Sequence, residues 1–492
     1  MTSPPSLLAA IQAQARAQPH KVAMCCAGRS LSYADLYRRI AMLHGHLQLA
    51  LPPRSPVALC SRDPLWLSSV FLALGAGNHN ALIFNPAWPQ AMQRAAWQRL
   101  QPALWLGDEL PAWAHGHTRH SLEPAPDGHG GALVKLQEAV ARRDTGALFY
   151  TGFTSGSSGV PKGFSRHERS WLASFAADQR IFGFSAGQVF YCPGSLAHSL
   201  FLYAVMRALY AGATVQISDE FRPARCLAQL RASADVLFAV PTQLQALAGA
   251  AREPVPGLRK ILSSGAKLHS GALAAINKAF PQAQVCEFYG SSELSYISVA
   301  GPGAPRGSVG KPLPGVRVSV CNSRGEALPA GEKGLIYVDS ELVFEGYAGP
   351  QGGTHREALA VCQAGISCRD IGYLDTQGNL FITGRADRMM LVAGRNVYPE
   401  EIEQILQAHP DVHQVAVLPQ ADQLRETRPV ALLNTSPDVC RKTLLAYCRQ
   451  HLPAWSVPTM YYRVRHWPLT VSAKTDFPAL QALLAQGRLE PL

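Results

Sequence analysis

The chain has 492 residues, of which 47% are hydrophobic and 16% charged, a composition that excludes an intrinsically disordered protein. This length is too great for one compact core and predicts at least two domains. The net charge of +11 favours anionic partners, but no Lys/Arg-rich run with interleaved aromatic residues is present, so we do not expect a nucleic-acid-binding protein.

The cysteines and the N-terminus indicate a cytoplasmic protein. The eleven cysteines follow no zinc-binding or disulfide spacing, so we expect reduced thiols. Residues 1–21 lack the cationic and apolar regions of a signal peptide. The most apolar stretch, Leu196–Ile217, contains His198 and Arg207, and we interpret it as a buried helix and strand rather than a membrane span.

The first part of the chain has the pattern of an α/β protein. Ser32 and Asp35 have the spacing of a capping box at the start of a helix. Short β-rich segments then alternate with helical patterns, which predicts an α/β fold with mostly parallel sheets. The predicted strands are Val57–Cys60, Ala81–Phe84, Ala147–Thr151, Thr214–Ile217, Val236–Val240, Lys260–Ser263 and Val285–Tyr289.

The pattern changes twice in the second part of the chain. From about Gly307, closely spaced strands predict a β-rich subdomain, and beyond Asp387 a short α+β stretch follows. We therefore predict a large N-terminal domain over 1–386 and a small, mobile α+β C-terminal domain over 387–492. The predicted elements are the strands Val316–Cys321, Gly334–Val338, Leu380–Ile382 and Val412–Leu418 and the helix Pro399–Ala408.

A loop rich in glycine, serine and threonine follows the strand predicted at Ala147–Thr151. Small residues let backbone N–H groups approach phosphate oxygens, hydroxyl groups add donors, and a lysine adds positive charge. A flexible linker is the alternative, but it would not need the Pro-Lys-Gly ending at 161–163. The loop does not match GxxxxGK[ST], which disfavours an ordinary P-loop NTPase. The candidate phosphate-binding residues are Thr154, Ser155, Gly156, Ser157, Ser158, Gly159 and Lys162.

Two later segments, with this loop, carry a resemblance to a known superfamily. They are Ser263–Leu268, which reads SSGAKL, and Glu287–Glu293, which reads EFYGSSE. The three segments resemble motifs of the adenylate-forming superfamily, which includes acyl-CoA synthetases, adenylation domains of peptide synthetases and luciferases. Further motifs of that superfamily follow in the same order, so the resemblance covers almost the whole chain.

The resemblance implies contacts to ATP and Mg²⁺ in these two segments. Tyr289 would stack on the adenine, and Glu287 would lie near the adenine edge. Glu293 would hold Mg²⁺, for which a carboxylate is a suitable ligand. Ser292 replaces the usual threonine and keeps its hydroxyl group. The residues implied to bind ATP or Mg²⁺ here are Gly265, Ala266, Glu287, Tyr289, Gly290, Ser292 and Glu293.

The segments around 368–373 and 384–387 resemble the motifs that bind ribose and join the two domains. Asp370 would accept hydrogen bonds from both ribose hydroxyls, although Arg369 stands where the superfamily has glycine. Arg385 would contact the ribose and the phosphates. Asp387 would be the hinge about which the C-terminal domain rotates.

Two segments of the C-terminal domain resemble loops that enter the active site in turn. In Ala393–Glu403, Gly394 would let the pantetheine arm of the thiol substrate pass close to the backbone, or it is a simple turn glycine. In Pro468–Asp476, Lys474 would bridge the carboxylate and the α-phosphate during adenylation, and Ala473 replaces the usual glycine.

The resemblance implies an ATP-dependent acid–thiol ligase. Such an enzyme converts a carboxylic acid to an acyl-adenylate with release of pyrophosphate, and then transfers the acyl group to a thiol with release of AMP. In the first step an anionic carboxylate attacks an anionic phosphate, and Lys474, Lys162 and Mg²⁺ would offset the repulsion. The catalytic residues implied are therefore Lys474, Glu293 and Lys162.

The acid is expected to be a fatty or aryl acid. The segment Cys192–Tyr203 contains no acidic residue, and an unpaired ammonium group in that pocket would be costly, so an α-amino acid is disfavoured. The segment resembles fatty acyl-CoA synthetase-like members. In it, His198 would be a gate of the acyl pocket, or it is a core histidine.

Coenzyme A is the expected acceptor, because no carrier domain is found in the sequence. A free-standing adenylation enzyme that loads the phosphopantetheine of a separate acidic carrier protein is the first alternative. A non-catalytic nucleotide-binding homologue is the second, and the intact Lys474, Glu293 and Asp370 argue against it.

Overall fold

The structure is a computed structural model that describes residues 4–118, 129–154, 161–218, 220–268, 270–356, 359–422, 426–469 and 475–492. Its α-helices are α1 (Leu7–Ala17), α2 (Tyr33–Ala50), α3 (Pro64–Ala76), α4 (Gln90–Leu100), α5 (His129–Ala141), α6 (Glu168–Phe182), α7 (Ser199–Tyr210), α8 (Pro223–Ser233), α9 (Pro241–Ala250), α10 (Ser270–Ala279), α11 (Pro399–Gln407), α12 (Arg441–His451) and α13 (Phe477–Ala485).

The strands form four sheets. In chain order they are β1 (Val22–Cys26), β2 (Arg29–Ser32), β3 (Pro56–Cys60), β4 (Asn80–Ile83), β5 (Leu104–Gly107), β6 (Gly116–Thr118), β7 (Leu148–Thr154), β8 (Lys162–His167), β9 (Val189–Cys192), β10 (Thr214–Ile217), β11 (Val236–Ala239), β12 (Lys260–Ser263), β13 (Gln284–Ser291), β14 (Ser295–Ala300) and β15 (Lys311–Pro312). They continue with β16 (Arg317–Cys321), β17 (Gly334–Asp339), β18 (Gly346–Ala348), β19 (Thr354–His355), β20 (Ala360–Cys362), β21 (Gly365–Ser367), β22 (Asp370–Leu374), β23 (Leu380–Arg385), β24 (Met390–Val392), β25 (Arg395–Val397), β26 (Val412–Asp422), β27 (Glu426–Thr435), β28 (Met460–Arg463) and β29 (Glu490–Pro491).

Two large sheets have parallel centres and antiparallel edges. The first has the order β15-β14-β13-β12-β11-β9-β10-β1-β2, and its strands from β13 to β1 are parallel. The second has the order β19-β18-β8-β7-β4-β3-β5-β6, parallel from β7 to β6. The connections between parallel strands are mostly helical, as such crossovers require. The α/β class and the mostly parallel sheets predicted from the sequence are confirmed.

The two smaller sheets belong to the later part of the chain. One has the order β20-β21-β17-β22-β23, with β16 paired to β17, and is antiparallel throughout. The other contains β24 to β29 and packs with α11 and α12 around its own apolar cluster. The chain leaves the first of these sheets at Arg385 and enters the second at Met390. The domain division at 386/387 stays a prediction.

Local sequence explains how individual helices start. The Ser32 hydroxyl accepts a hydrogen bond from the Asp35 N–H, and the Asp35 carboxylate accepts one from the Ser32 N–H, so the predicted capping box is present. The Asp63 carboxylate caps α3 by accepting hydrogen bonds from the Leu65 and Trp66 N–H groups, and α3 is buried along its whole length. Both faces of this helix are apolar, which is typical of a helix inside a large core.

The predicted strands are present, most of them with shifted ends, whereas Thr214–Ile217 and Lys260–Ser263 have the predicted bounds. The predicted strand Ala147–Thr151 extends through Thr154, and Leu380–Ile382 extends to Arg385, because an antiparallel neighbour pairs with the added residues in each case. Lys162, expected in a loop, is the first residue of β8. The apolar stretch Leu196–Ile217 forms α7 and β10, and within the described ranges no helix is long and apolar enough to cross a membrane.

A buried histidine should make the stability of the fold depend on pH. The His79 side chain is 3% exposed, and its Nδ1 accepts a hydrogen bond from the Ser55 N–H at 3.2 Å. Burial, followed by the charges of His44 and Arg143, lowers the pKa of His79 to about 4. A histidine in the unfolded chain binds its proton below about pH 6.5. We therefore expect the free energy of unfolding to fall between about pH 6.5 and 4, by at most about 1.4 kcal/mol per pH unit.

Urea unfolding at a series of pH values measures this effect. His79→Asn keeps a side-chain acceptor but cannot titrate, so its stability should fall less steeply over the same interval. Burial also lowers the pKa of His44, but His44 is present in both proteins, and the difference between them isolates His79. Equal pH slopes for the two proteins would contradict the prediction.

Candidate active site

The predicted site residues in the middle of the chain gather at one edge of the nine-stranded sheet. Strands β9, β11, β12 and β13 are parallel, so the segments that follow their carboxyl ends lie along the same edge. His198 follows β9 and immediately precedes α7, and Gly265 and Ala266 follow β12 in an exposed loop. The Gln243 side chain in α9 donates to the Pro193 carbonyl at 2.9 Å and links two of these segments.

Glu287 fixes the loop that contains Gly265 and Ala266. Glu287 lies beside Ser263 in the parallel pairing of β13 with β12, and its Oε1 accepts a hydrogen bond from the Leu268 N–H at 2.6 Å. Burial raises the pKa of Glu287, against the opposing effects of this hydrogen bond and of Lys267. The carboxylate is therefore used in part to hold the loop in place.

Tyr289, Asp370 and Arg385 come together from three strands. The Tyr289 hydroxyl donates a hydrogen bond to Asp370 Oδ2, and Arg385 Nη1 lies 3.7 Å from Asp370 Oδ1. Asp370 and Arg385 are direct cross-strand partners in the pairing of β22 with β23. Burial raises the pKa of Asp370, and the Tyr289 hydroxyl and Arg385 oppose that rise. The Asp370 carboxylate, with a side-chain exposure of 15%, is therefore a largely buried hydrogen-bond acceptor beside the Arg385 guanidinium group.

Arg369 adopts the backbone conformation of the glycine that it replaces. Its φ is +66°, in the left-handed region that glycine occupies most readily. The Ser367 hydroxyl accepts from the Arg369 N–H at 3.0 Å, and the Arg369 carbonyl accepts from the Ala386 N–H at 2.9 Å. The turn before Asp370 is thus formed despite the side chain.

Glu293 and Lys162 both contact Tyr347. The Tyr347 hydroxyl donates a hydrogen bond to Glu293 Oε1 at 3.0 Å, and Lys162 Nζ lies 5.7 Å from the centre of the Tyr347 ring. Glu293 Oε2 is 4.0 Å from the Cys368 thiol. A carboxylate and an ammonium group therefore contact the same tyrosine, and the carboxylate lies beside the segment that leads into the strand beginning at Asp370.

The glycine- and serine-rich loop closes an antiparallel hairpin. Thr154 at the end of β7 pairs with Lys162 at the start of β8. The predicted phosphate-binding residues Ser155, Gly156, Ser157, Ser158 and Gly159 lie between them and outside the described residues.

Asp387 lies in a short turn between the third and fourth sheets. The Arg388 N–H donates to the Arg385 carbonyl at 3.1 Å across this turn, and Arg385 Nε lies 3.0 Å from Asp387 Oδ1. Arg388 forms ion pairs with Glu400 and Glu403 at the start of the C-terminal region. The short link between the two regions is therefore held at its start by Arg385 of β23 and at its end by α11.

The remaining predicted residues lie in the C-terminal region. Ala393 and Gly394, with φ values of +49° and +71°, form the two-residue turn between β24 and β25. A two-residue turn with positive φ at both positions favours glycine, so the backbone geometry is that of a turn glycine at Gly394. Among the described residues, apart from its chain neighbours, no atom lies within 4 Å of the position that a Cβ on Gly394 would take, so the turn is open to these residues on that side. Lys474 lies outside the described residues.

Two residues of this site were missed in the sequence. Tyr347 lies in the three-residue strand β18 and Cys368 is the first residue of the ribose-motif segment, and neither had been given a role. Both reach Glu293 through tertiary contacts. An aromatic residue close to a predicted metal carboxylate can be recognised only once β18 is placed against β8.

The site suits Mg²⁺ bound together with a nucleotide. Within the described ranges, no three His, Cys, Asp or Glu side chains meet in a way that would hold a metal on their own. Mg²⁺ is commonly held by one or two carboxylates and by substrate phosphates, and it keeps several waters. Glu293, with Oε1 engaged by Tyr347, meets the requirement for a single protein carboxylate.

The chain matches a known enzyme family in sequence. Residues 11–348 match the AMP-binding enzyme family, and residues 401–474 match the AMP-binding enzyme C-terminal domain. The uncharacterized acyl-CoA ligase YhfT of Bacillus subtilis is 37% identical over 66% of each chain. VraA of Staphylococcus epidermidis, provisionally named a long chain fatty acid-CoA ligase, is 28% identical over 96% of this chain and 97% of its own. The 2-succinylbenzoate–CoA ligase of Enterococcus faecalis is 27% identical over 65% of this chain and 67% of its own.

Solved structures share the fold. The o-succinylbenzoate CoA synthetase MenE of Bacillus subtilis, in complex with an acyl-adenylate, has a TM-score of 0.84 and 21% identity over 98% of this chain and 99% of its own. ATP-bound MatB of Rhodopseudomonas palustris has a TM-score of 0.83 and 23% identity over 96% of this chain and 98% of its own. The chain belongs to the AMP-binding enzyme family and is an AMP-forming acid–thiol ligase.

Proposed function

We propose that this enzyme activates a fatty or aryl carboxylic acid with MgATP and transfers the acyl group to coenzyme A. The observation that carries the proposal is the convergence of Tyr289, Asp370 and Arg385 near Glu293, which shares the contact residue Tyr347 with Lys162. One group of residues has the chemistry for a nucleoside, and the other has the chemistry for magnesium and phosphate.

The nucleoside would be held by the first group. Asp370 would accept from the ribose hydroxyls, and Arg385 would neutralise both that carboxylate and the α-phosphate. The Tyr289 ring would lie against the adenine, bordered by the loop that carries Gly265 and Ala266 and that Glu287 holds in place. Gly290 and Ser292 would line the turn toward the phosphates, because both lie between Tyr289 and Glu293.

The second group would control charge during adenylation. A carboxylate is a poor acyl donor, because its leaving group is oxide, and the mixed anhydride with AMP has a far better leaving group. Mg²⁺, when bound at Glu293, would neutralise the β- and γ-phosphates that depart as pyrophosphate. Positive charge where the carboxylate meets the α-phosphate would come from Lys162 and Lys474. Hydrogen-bond donors would come from the hydroxyl groups of Ser155, Ser157 and Ser158.

An acid without an amino group fits the residues before α7. An ammonium group needs a carboxylate, and 192–203 has none. The nearby Asp178 is buried and already paired, with Arg207 Nε at 2.6 Å and the Tyr203 hydroxyl at 3.0 Å. His198, half-buried before α7, would border the acyl group. The provisional name of VraA, a long chain fatty acid-CoA ligase, and the named acid of the 2-succinylbenzoate ligase support both acid classes.

Coenzyme A is the proposed acceptor. The relatives described above are named as CoA ligases, which disfavours a separate carrier protein. Gly394, at the open turn between β24 and β25, would border the pantetheine arm after rotation about Asp387. A cytoplasmic location, where coenzyme A is abundant, stays a prediction.

ATP–pyrophosphate exchange against a panel of fatty, aryl and amino acids tests the proposal. We expect exchange with at least one fatty or aryl acid, and a matching acyl-CoA by mass spectrometry when coenzyme A is added. Exchange only with amino acids, or a thioester only on a carrier protein, would overturn it. If the protein binds ATP but catalyses pyrophosphate exchange with none of the acids, the non-catalytic alternative would be favoured.

Asp370→Ala should weaken ATP binding. The substitution removes an acceptor for two ribose hydroxyls and leaves the Tyr289 hydroxyl and Arg385 without their partner. A hydrogen bond to a charged group contributes roughly 1.5–3 kcal/mol, so we expect the ATP dissociation constant to rise about 10- to 100-fold. Isothermal titration calorimetry with ATP and without acid measures it.

Asp339→Ala is the matched control for that substitution. Asp339 is also a strand carboxylate paired with an arginine, Arg317, but its side chain is 46% exposed. We expect its ATP affinity to stay within about twofold of wild type, as for surface ion pairs. Unchanged affinity in Asp370→Ala would mean that the ribose does not bind at this carboxylate.

A further inference from the structure

Tyr347 contacts both charged groups of the proposed magnesium and phosphate site. Its hydroxyl donates to Glu293 Oε1 at 3.0 Å, and its ring lies 5.7 Å from Lys162 Nζ. The ring is 9% exposed and packs edge-on against Phe344 at 5.2 Å. Tyr347 itself is paired with Phe164 of β8, two residues beyond Lys162.

The segment that carries Tyr347 also holds the main chain of Glu293. The Phe344 N–H donates to the Glu293 carbonyl at 2.8 Å. The backbone and the carboxylate of Glu293 are therefore both fixed by the stretch 344–347, which pairs with the strand that carries Lys162. The buried Arg166 of the same strand donates to the Leu342 carbonyl and interacts electrostatically with Glu293.

The hydrogen bond to Tyr347 leaves the two oxygens of Glu293 in different roles. Oε1 accepts from a fixed, neutral donor, and the hydrogen-bond partner of Oε2 among the described residues is the Cys368 thiol, at the long distance of 4.0 Å. A carboxylate anchored at one oxygen has lost rotamer freedom before a cation arrives, so less entropy is lost on binding.

We propose that Tyr347 is a positioning residue for metal binding: it anchors Glu293 through Oε1 and directs Oε2 toward Mg²⁺, while its ring face attracts Lys162. This inference rests on the proposed function, because it takes Glu293 as the magnesium ligand. It assigns a role in metal binding to a residue that would not itself touch the metal, the nucleotide or the acid. Lys162 would gain a favourable but modest attraction to the ring.

Tyr347→Phe separates the two contacts, because it removes the hydroxyl and keeps the ring. Binding of Mn²⁺ to the protein with α,β-methylene-ATP is measured by electron paramagnetic resonance. This analogue cannot transfer its adenylyl group to an acid, because a methylene link replaces the oxygen that bridges the α- and β-phosphates, and the bond to that oxygen is the one that must break. We expect the Mn²⁺ dissociation constant to rise about 10-fold, as for the loss of other groups that orient a metal ligand. The melting temperature should change little, since the ring still packs on Phe344.

Two further variants make the outcomes separable. Glu293→Gln removes the proposed ligand and should abolish specific Mn²⁺ binding. Tyr373→Phe removes a tyrosine hydroxyl from a ring that stacks on Phe381 at 4.8 Å, and should leave binding unchanged. If Tyr347→Phe keeps a Mn²⁺ affinity within twofold of wild type while Glu293→Gln loses binding, the proposed role of Tyr347 is overturned and Glu293 remains the metal ligand. Unchanged affinity in Glu293→Gln would overturn the assignment of Glu293 as the metal ligand, and the role of Tyr347 with it.

Discussion

Lys474→Ala should abolish adenylation and spare thioester formation. A charge placed at the developing transition state contributes roughly 3 kcal/mol, so we expect pyrophosphate exchange to fall by about 10²- to 10³-fold. When the acyl-adenylate is supplied directly, the rate of acyl-CoA formation should stay near that of wild type. By the proposed two-orientation mechanism, the C-terminal domain has then rotated and Lys474 has left the site.

Single-turnover measurements of the two half-reactions test this prediction. Lys442→Ala is a suitable control, because Lys442 is an exposed lysine in α12 of the same C-terminal region. We expect it to leave both rates unchanged. An equal loss in both half-reactions for Lys474→Ala would refute a role confined to adenylation.

Asp387→Pro should have the opposite effect on the two half-reactions. Rotation of the C-terminal domain must be absorbed by backbone torsions in the short link between Arg385 and Met390. Proline fixes φ near −65° and restricts the preceding residue, Ala386. The enzyme should then stay in the adenylating orientation implied by the family resemblance. We expect pyrophosphate exchange to survive and acyl-CoA formation to fall by at least about 10²-fold, which is the rate loss typical when a reacting group is misplaced by about 1 Å.

Asp387→Ala is the matched control for the hinge. It removes the same carboxylate, which lies 3.0 Å from Arg385 Nε, but leaves φ free. We expect it to keep most of the thioester-forming rate, so a loss specific to proline identifies the backbone rather than the side chain as the cause. A melting curve detects general unfolding. A near-wild-type thioester rate in Asp387→Pro would exclude rotation about this residue.

Much of the fold followed from local pattern. Alternating β-rich and helical segments predicted the parallel sheets, because a parallel strand needs a crossover connection and a buried strand is a short apolar run. The capping box at Ser32 and Asp35 was also predictable from local sequence, because its two hydrogen bonds join residues three positions apart. The strand ends were less predictable: β7 gains three residues and takes in Thr154 because β8 lies beside it.

The sequence by itself determined the family of this protein, its two-step chemistry, and the candidate residues, since each motif is a short run whose residue types and spacing carry the information. Only the tertiary structure decided how those residues combine. Asp370 meets Tyr289 across 81 positions of chain, and Tyr347 meets Glu293 across 54. It also decided that Arg369 takes the glycine conformation, with φ at +66°. Contacts between distant segments depend on strand pairing and packing, and local sequence does not specify which distant strand lies alongside.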